Sequence, residues 1–312
     1  MKIFYTDHFT LPLPPGHRFP IAKYALLRQR VVQAQLVPLS ELRVPPAASD
    51  EQLVRVHRPE YVRRVQQGTL TTQEIRRMGF PWSPELAERA RRSCGGTLQA
   101  CQSALVEGLS VNLAGGTHHA FPDHGEGYCV FNDSAIAARA MQAQGNARRI
   151  LIVDCDVHQG NGTAAIFAGD PSVFTFSIHS AKNFPYRKQP SDLDIELENG
   201  AGDAIYLEAL ERGLRHALAS GPADLVIYLA GADPFADDRL GKLALSKAGL
   251  AARDRLVLRH CQAAGLPVAI TMAGGYARQI QDTVDIHFQT VRIAVEMQTR
   301  QNQDNLALPR AI

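Results

Sequence analysis

Cysteine is scarce in this chain and nowhere paired. There are 5 in 312 residues, an odd number, and no two form a C-x-x-C. That argues against a disulfide framework and points to a reducing compartment, with a cytoplasmic location expected. Long apolar runs are also missing. No stretch reaches the length of a transmembrane helix, and the opening MKIFYTDHFTLPLPPGHRFP lacks the uninterrupted apolar segment of a signal peptide. Charge of one sign is missing too. The 33 basic and 31 acidic side chains leave a net charge of +2, without a Lys/Arg run long enough to grip nucleic acid or an anionic membrane. No Pro-, Gly- or Ser-rich linker, low-complexity tract or internal repeat divides the chain, so residues 1–312 are expected to form one domain.

What is present is an alternation. The short apolar runs Lys2–Tyr5, Ser110–Ala114, Arg149–Val153, Val173–Ile178, Leu225–Ala230 and Pro267–Met272 have the length and β-branched content of buried parallel strands. Between them, Pro84–Leu109, Asn132–Gln144, Asp203–Ser220 and Ser246–Gly265 have helical periodicity, the first with a capping start at Ser83 and Pro84. Gly68–Pro81 reads as a surface loop or a short irregular helix. Strand–helix alternation predicts an α/β fold of three layers, a mainly parallel β-sheet flanked by helices.

In open parallel sheets, ligands bind beyond the carboxyl ends of the strands. Here VNLAGG runs into Thr117, His118 and His119; LIV into Asp154, Asp156 and His158; LVIYLAGA into Asp233; and VAITMAGG into Tyr276. A strand-end aspartate commonly caps the next helix, and a lone histidine is commonly hydrogen-bonded structure. Four strands bringing such residues to one rim favour function over either bland reading.

Asp156 and His158 stand two residues apart, on the same side of an extended chain, so a carboxylate and an imidazole can meet at one metal ion. Asp233 can be the third ligand. Three O and N donors with an open position suit catalytic zinc, and two aspartates make the site hard enough for Fe2+ or Mn2+ to compete. Asp154, on the same side, is either a fourth ligand or the carboxylate that orients an imidazole. His118 and His119 are candidates for that imidazole and for acid–base work on metal-bound water. The alternative for this pair is two surface histidines in a loop. Tyr276 follows Ala273-Gly274-Gly275, where glycines allow close backbone approach, so its phenol can donate to a developing oxyanion. The alternative is an aromatic packed at a strand end.

The blocks LAGGTHHA, GEGYCVFND, VDCDVHQGNGT, FSIH, LAGADPFADDRLG and AGGY occur in the order seen in the histone deacetylase superfamily, which includes acetylpolyamine amidohydrolases. Between about His17 and Tyr276 the chain resembles that superfamily, most closely class IV and its bacterial relatives. The resemblance implies an arginase/deacetylase-like fold and zinc-dependent hydrolysis of an acyl amide to an amine and a carboxylate. By motif position, Asp156, His158 and Asp233 would be the zinc ligands, His118 and His119 the tandem histidines, and Tyr276 the polariser of the scissile carbonyl. Asp154 would hold His118. A structural potassium ion would sit at Asp154, Asp156, His158, Ser177 and Ile178, and a second around Phe167, Asp170 and Val173. Gly127 and Tyr128 would form the wall for the acyl-lysine stem, with Phe184 opposite and Gly274 beside the substrate.

Two positions depart from the common pattern. Asn161 stands where many members carry an aspartate behind the second histidine, and a neutral amide supports an imidazolium less. Leu240 stands near the acidic gatekeeper of acetylpolyamine-specific members. It favours a less charged acyl-lysine, peptide or protein, or a longer acyl chain. An acetylpolyamine or other small acyl-amine deacetylase, an arginase-type binuclear hydrolase and a non-catalytic acyl-lysine binder are the other readings. The loops Leu11–Tyr24 and Gly68–Pro81 would set the tunnel mouth, with His17 and Arg18 either lining it or in plain surface loop.

Overall fold

Successive side chains leave a strand on opposite faces, so a strand apolar at every position must be covered on both. Ile150–Asp154 shows this. Leu151 and Val153 belong to one apolar cluster, while Ile150 and Ile152 belong to another. Leu225–Leu229 divides likewise, with Val226 and Tyr228 on the first face and Leu225, Ile227 and Leu229 on the second. The sheet is therefore the middle layer of three.

The computed structural model describes residues 1–307. In chain order the elements are β1 (Ile3–Phe4), α1 (Ala22–Gln33), β2 (Leu42–Arg43), α2 (Asp50–Val54), α3 (Pro59–Gln67), α4 (Thr72–Met78), α5 (Pro84–Glu107), β3 (Leu109–Asn112), α6 (Asp133–Ala143), β4 (Ile150–Asp154), α7 (Asn161–Phe167), β5 (Val173–Ser180), β6 (Leu193–Leu197), α8 (Asp203–Ala219), β7 (Leu225–Leu229), α9 (Lys247–Ala263), β8 (Val268–Thr271) and α10 (Ile280–Ala307). The 8 strands form one sheet in the order β2-β1-β3-β8-β7-β4-β5-β6, and every pairing is parallel. Residues of α1, α8, α9 and α10 cover one face, and residues of α5 and α6 the other. A third apolar cluster joins α2, α3 and the start of α5 to Val130, Phe131 and Ile136, forming a lobe beside the strand ends.

The helical readings hold, with shifted ends. Ser83 caps α5 through Leu86 N–H, and Asn132 caps α6 through Ala135 N–H. Leu109 belongs to β3 rather than to α5, because Gly108 at φ 95° turns the chain between them. Gly68–Pro81, expected as a surface loop or short irregular helix, holds the short, regular helix α4 between loop residues. Thr71 and Glu74 close a reciprocal capping box, and Gly79 ends it in the left-handed region. The T-x-x-E spacing was the readable signal. The sequence reading does not reach β2, β6, α1, α2, α3, α7 or α10. The edge strand β6 is mostly half-exposed, and β2 is two residues long. All 5 cysteines are free and buried. Among the described residues, no helix is long and apolar enough to cross a membrane.

Candidate active site

The sheet order puts β3, β8, β7 and β4 side by side. The four polar strand ends, scattered from Thr117 to Tyr276 in the sequence, are therefore consecutive neighbours in space.

Beyond β3 the chain must turn sharply to bring two histidines inward. Gly115 and Gly116 do so at φ 78° and 77°, and a Cβ on Gly115 would lie 2.5 Å from Asp133 Oδ2. The carboxylate of Asp133, buried at the start of α6, accepts from Gly116 N–H (3.0 Å), Thr117 N–H (2.7 Å), Thr117 Oγ1 (2.6 Å) and Thr97 Oγ1. Thr163 N–H donates to the His118 carbonyl. The turn is held at both ends before any ligand arrives.

His118 and His119 are both buried, with ring centroids 4.1 Å apart. Their partners differ. His118 Nδ1 lies 2.6 Å from Asp154 Oδ2 and His119 Nδ1 lies 2.6 Å from Asn161 Oδ1. Each oxygen accepts, so each Nδ1 carries the proton and each Nε2 is left for other work. Burial works against charge on His118, but Asp154 and Asp156 outweigh it and lift its pKa to about 9. His119 goes the other way. Burial, then the positive charges of His118 and His158, push it well below the ordinary value, and the Asn161 amide opposes this only partly.

Beyond β4, Asp156 and His158 do lie together, with Asp233 from the end of β7. His158 Nδ1 is 2.9 Å from Asp156 Oδ1 and 3.4 Å from Asp233 Oδ2. One ligand atom from each of the three lies within 4.8 Å of the others, and all three residues are buried. The donor set fits a metal on two observations. Asp233 Oδ2 is buried without a hydrogen-bond partner. A Cβ on Gly274 would lie 1.8 Å from that oxygen and 2.6 Å from Asp156 Oδ2, so only glycine leaves both carboxylates their place. Burial and the neighbouring Asp156 push Asp233 up to about 7, as expected where two buried carboxylates share one small space that calls for a cation.

Residues 17–291 match the profile of the histone deacetylase domain. The chain belongs to the histone deacetylase family. It is 48% identical over 285 residues to an uncharacterized protein of Picosynechococcus sp., covering 91% of this chain and 95% of that one. It is 31% identical to histone deacetylase 2 of Arabidopsis thaliana, covering 62% of this chain and 52% of that protein. It is 29% identical to a histone deacetylase-like amidohydrolase of Pseudomonas aeruginosa, covering 85% and 74%. Among solved structures, a histone deacetylase homologue from Aquifex aeolicus superposes with a TM-score of 0.82 at 22% identity, covering 94% of this chain and 83% of that one. That likeness bears on the fold alone. As a member of this family the protein is a hydrolytic enzyme with an arginase/deacetylase-like α/β fold.

The residues expected at the metal, the tandem histidines and the substrate wall line one cavity. A cavity of about 460 Å³ is lined by His118, His119, Asp156, His158, Asp233, Gly274 and Tyr276, and by Gly127, Tyr128, Phe184 and Leu240. Gly127 fills the space between His119 and Phe184, since a Cβ there would lie 2.6 Å from His119 Cδ2 and 3.0 Å from Phe184 Cε1. Tyr276 is held through its backbone, its N–H donating to Asp238 Oδ2 at 2.6 Å. Burial raises the phenol well above its ordinary pKa, so it remains a neutral donor at neutral pH.

Other positions are placed less simply. Asp154 and Ser177, two of the five residues named for potassium, are register partners where β4 meets β5, and Ile178 follows on β5. Asp154 uses both oxygens inside the protein, one for His118 and one for Asp156 N–H. At the second cation position Asp170 already pairs with Arg139 at 2.5 Å and bonds Ser172. His17 is structural: its Nε2 donates to the Gly79 carbonyl at 3.0 Å and its ring stacks on Phe80. Arg18 lines the cavity. The residue-level reading missed Asp133 and Asp238, both inside quoted motifs and both buried acceptors for turn N–H groups. Phe19, Tyr24 and Phe80 line the cavity from within the two segments expected at a tunnel mouth, Leu11–Tyr24 and Gly68–Pro81, although none of the three was singled out.

Proposed function

We propose that this protein hydrolyses the amide of an acyl-lysine, acetyl or longer, to a free amine and a carboxylate. The observation that carries this reading is the placement of two differently partnered histidines and Tyr276 on one cavity floor beside a buried Asp-His-Asp group.

Asp156, His158 and Asp233 would hold a divalent ion, with zinc first and Fe2+ or Mn2+ as competitors. Such an ion supplies Lewis-acid polarisation of a carbonyl and a water of lowered pKa. The remaining chemistry belongs to side chains. His119, neutral and with Nδ1–H bonded to Asn161, takes a proton at Nε2 from the attacking water. The Tyr276 hydroxyl donates to the oxygen that gains negative charge as water adds to the carbonyl carbon. A histidine of the pair then gives a proton to the nitrogen as the C–N bond breaks. Asp154 keeps His118 oriented throughout. Gly127, Tyr128 and Phe184 enclose the lysine stem, and Gly274 N–H, donating to Asp156 Oδ2 at 2.8 Å, stiffens the strand end beside it. Asp154, Asp156, His158, Ser177 and Ile178 offer mainly oxygen donors, which suits potassium, a hard ion. Leu240 at the cavity leaves no carboxylate for a polyamine ammonium.

Chelator treatment tests this reading. The metal-depleted protein is expected to lose turnover of acetyl-lysine peptides and to regain it with Zn2+, and elemental analysis is expected to find one divalent ion per chain. Full turnover after depletion would refute the metal assignment. Two ions per chain would favour the binuclear reading.

A further inference from the structure

The carboxylates of the cavity lie buried on its floor, whereas its exposed charges lie at its opening. The carboxylates lining the cavity are Asp156 and Asp233, both buried on the floor. The exposed charged side chains lining it are Arg18, Arg76, Arg77 and Lys242, all cationic. They come from three separate segments: Arg18 from the loop before α1, Arg76 and Arg77 from the last turn of α4, and Lys242 from the loop after β7.

Three carboxylates of the adjoining segments pair with other cations. Glu74 pairs with Arg64 at 2.6 Å, Glu198 with Lys182 at 3.4 Å, and Asp237 with Arg278 at 3.0 Å. Lys242 Nζ donates to a neutral group, the Lys182 carbonyl, at 2.7 Å. Arg77 is the least free of the four, because its other side borders a smaller depression containing Glu60, Glu74 and Asp123. Arg76 and Arg77 also suit the carboxyl end of α4, where positive charge complements the helix dipole. That accounts for two cations on one helix. It does not account for a ring of one sign drawn from three segments, on a chain whose net charge is only +2.

We infer that the opening selects acyl-lysines set among acidic residues and disfavours cationic acyl-amines such as acetylpolyamines. This rests on the deacylase reading and names its substrate class. Cations spread over three segments match several carboxylates along a peptide better than a single small anion. A concave opening of one sign, above low-dielectric walls, concentrates oppositely charged substrate and repels like charge. Exposed charges act through solvent, so the selection weakens as salt screens them.

The test uses acetyl-lysine peptides that differ only in flanking residues, Asp/Glu, Gly/Ser or Lys/Arg, together with acetylputrescine. The zinc-loaded protein is assayed at low and high salt. At low salt kcat/KM is expected to be at least about 10-fold higher for acidic than for basic flanks, and the ratio is expected to shrink at high salt. The double variant Arg18→Glu/Arg76→Glu is expected to reverse the order. The ratio is the readout because loss of correctly folded protein cancels from it. Equal kcat/KM for the three peptides at low salt, or a preference for basic flanks, would overturn the inference. Binding titrations with the same peptides, fluorescently labelled, read the opening even if nothing is hydrolysed. Absence of any turnover sinks the deacylase reading, while equal Kd values sink the charge selection.

Discussion

The floor of the cavity and its opening are built on different principles. On the floor every polar group is buried and most have a fixed partner: His118 has Asp154, His119 has Asn161, Asp156 has the Gly274 N–H, and the Tyr276 backbone has Asp238. At the opening the charged groups are exposed, and Glu74, Glu198 and Asp237 of the adjoining segments pair with other cations. Rigid buried partners set orientation and protonation, which chemistry requires. Exposed cations on separate loops set only a field, which selection can use and salt can weaken. Changes on the floor should therefore alter kcat steeply, whereas changes at the opening should alter the ratio between substrates.

The largest effect is expected from Tyr276→Phe, which removes one hydroxyl and little volume. Its kcat should fall by about 10²–10³, the cost of one oxyanion donor. Turnover near that of the unmodified protein would take the phenol out of the mechanism.

The next prediction concerns how firmly the floor is held. His57 Nδ1–H donates to the Phe121 carbonyl and Nε2 accepts from Asn132 N–H at 2.9 Å, at the cap of α6. A second proton would break the latter bond. Burial holds His57 near pKa 4, against 6.5 for the free side chain. The unfolded chain therefore takes up this proton first as pH falls. The stability contribution of neutral His57 is complete above pH 6.5 and is lost between 6.5 and 4, by about 3 kcal/mol in all. Urea midpoints across that range should fall less steeply in His57→Gln, and an identical slope would show that His57 does not carry the effect.

A smaller effect should separate the two histidines. Asn161→Asp places a carboxylate behind His119 like the one behind His118, which raises its pKa. The acid limb of kcat/KM, which requires neutral His119, should then move to higher pH by roughly one unit or more. An unmoved limb would remove His119 as the base.

How legible was this in the sequence? The floor was largely so. Polar letters at the ends of apolar runs, and the two-residue spacing of Asp154, Asp156 and His158, point to one side of one strand end. The helix α4 was legible as a T-x-x-E box and was passed over. Asp133 stands in a quoted motif, but a helix-start aspartate looks the same whether it caps a helix or grips a distant turn. The opening was legible in part: two of its segments, Leu11–Tyr24 and Gly68–Pro81, are expected at a tunnel mouth, but Arg76, Arg77 and Lys242 are unremarkable letters in their own segments.

By itself the sequence determined which strand ends bring titratable residues to one rim, because side-chain alternation is a property of a few adjacent residues. The histidine partners, amide for one and carboxylate for the other, came only from the likeness of its motifs to the histone deacetylase family. Only the tertiary structure decided that β3, β8, β7 and β4 lie next to one another, and that three remote segments bring exposed cations to one cavity. Strand order and loop proximity follow from how helices pack on both faces of the sheet, a long-range result that no local spacing encodes.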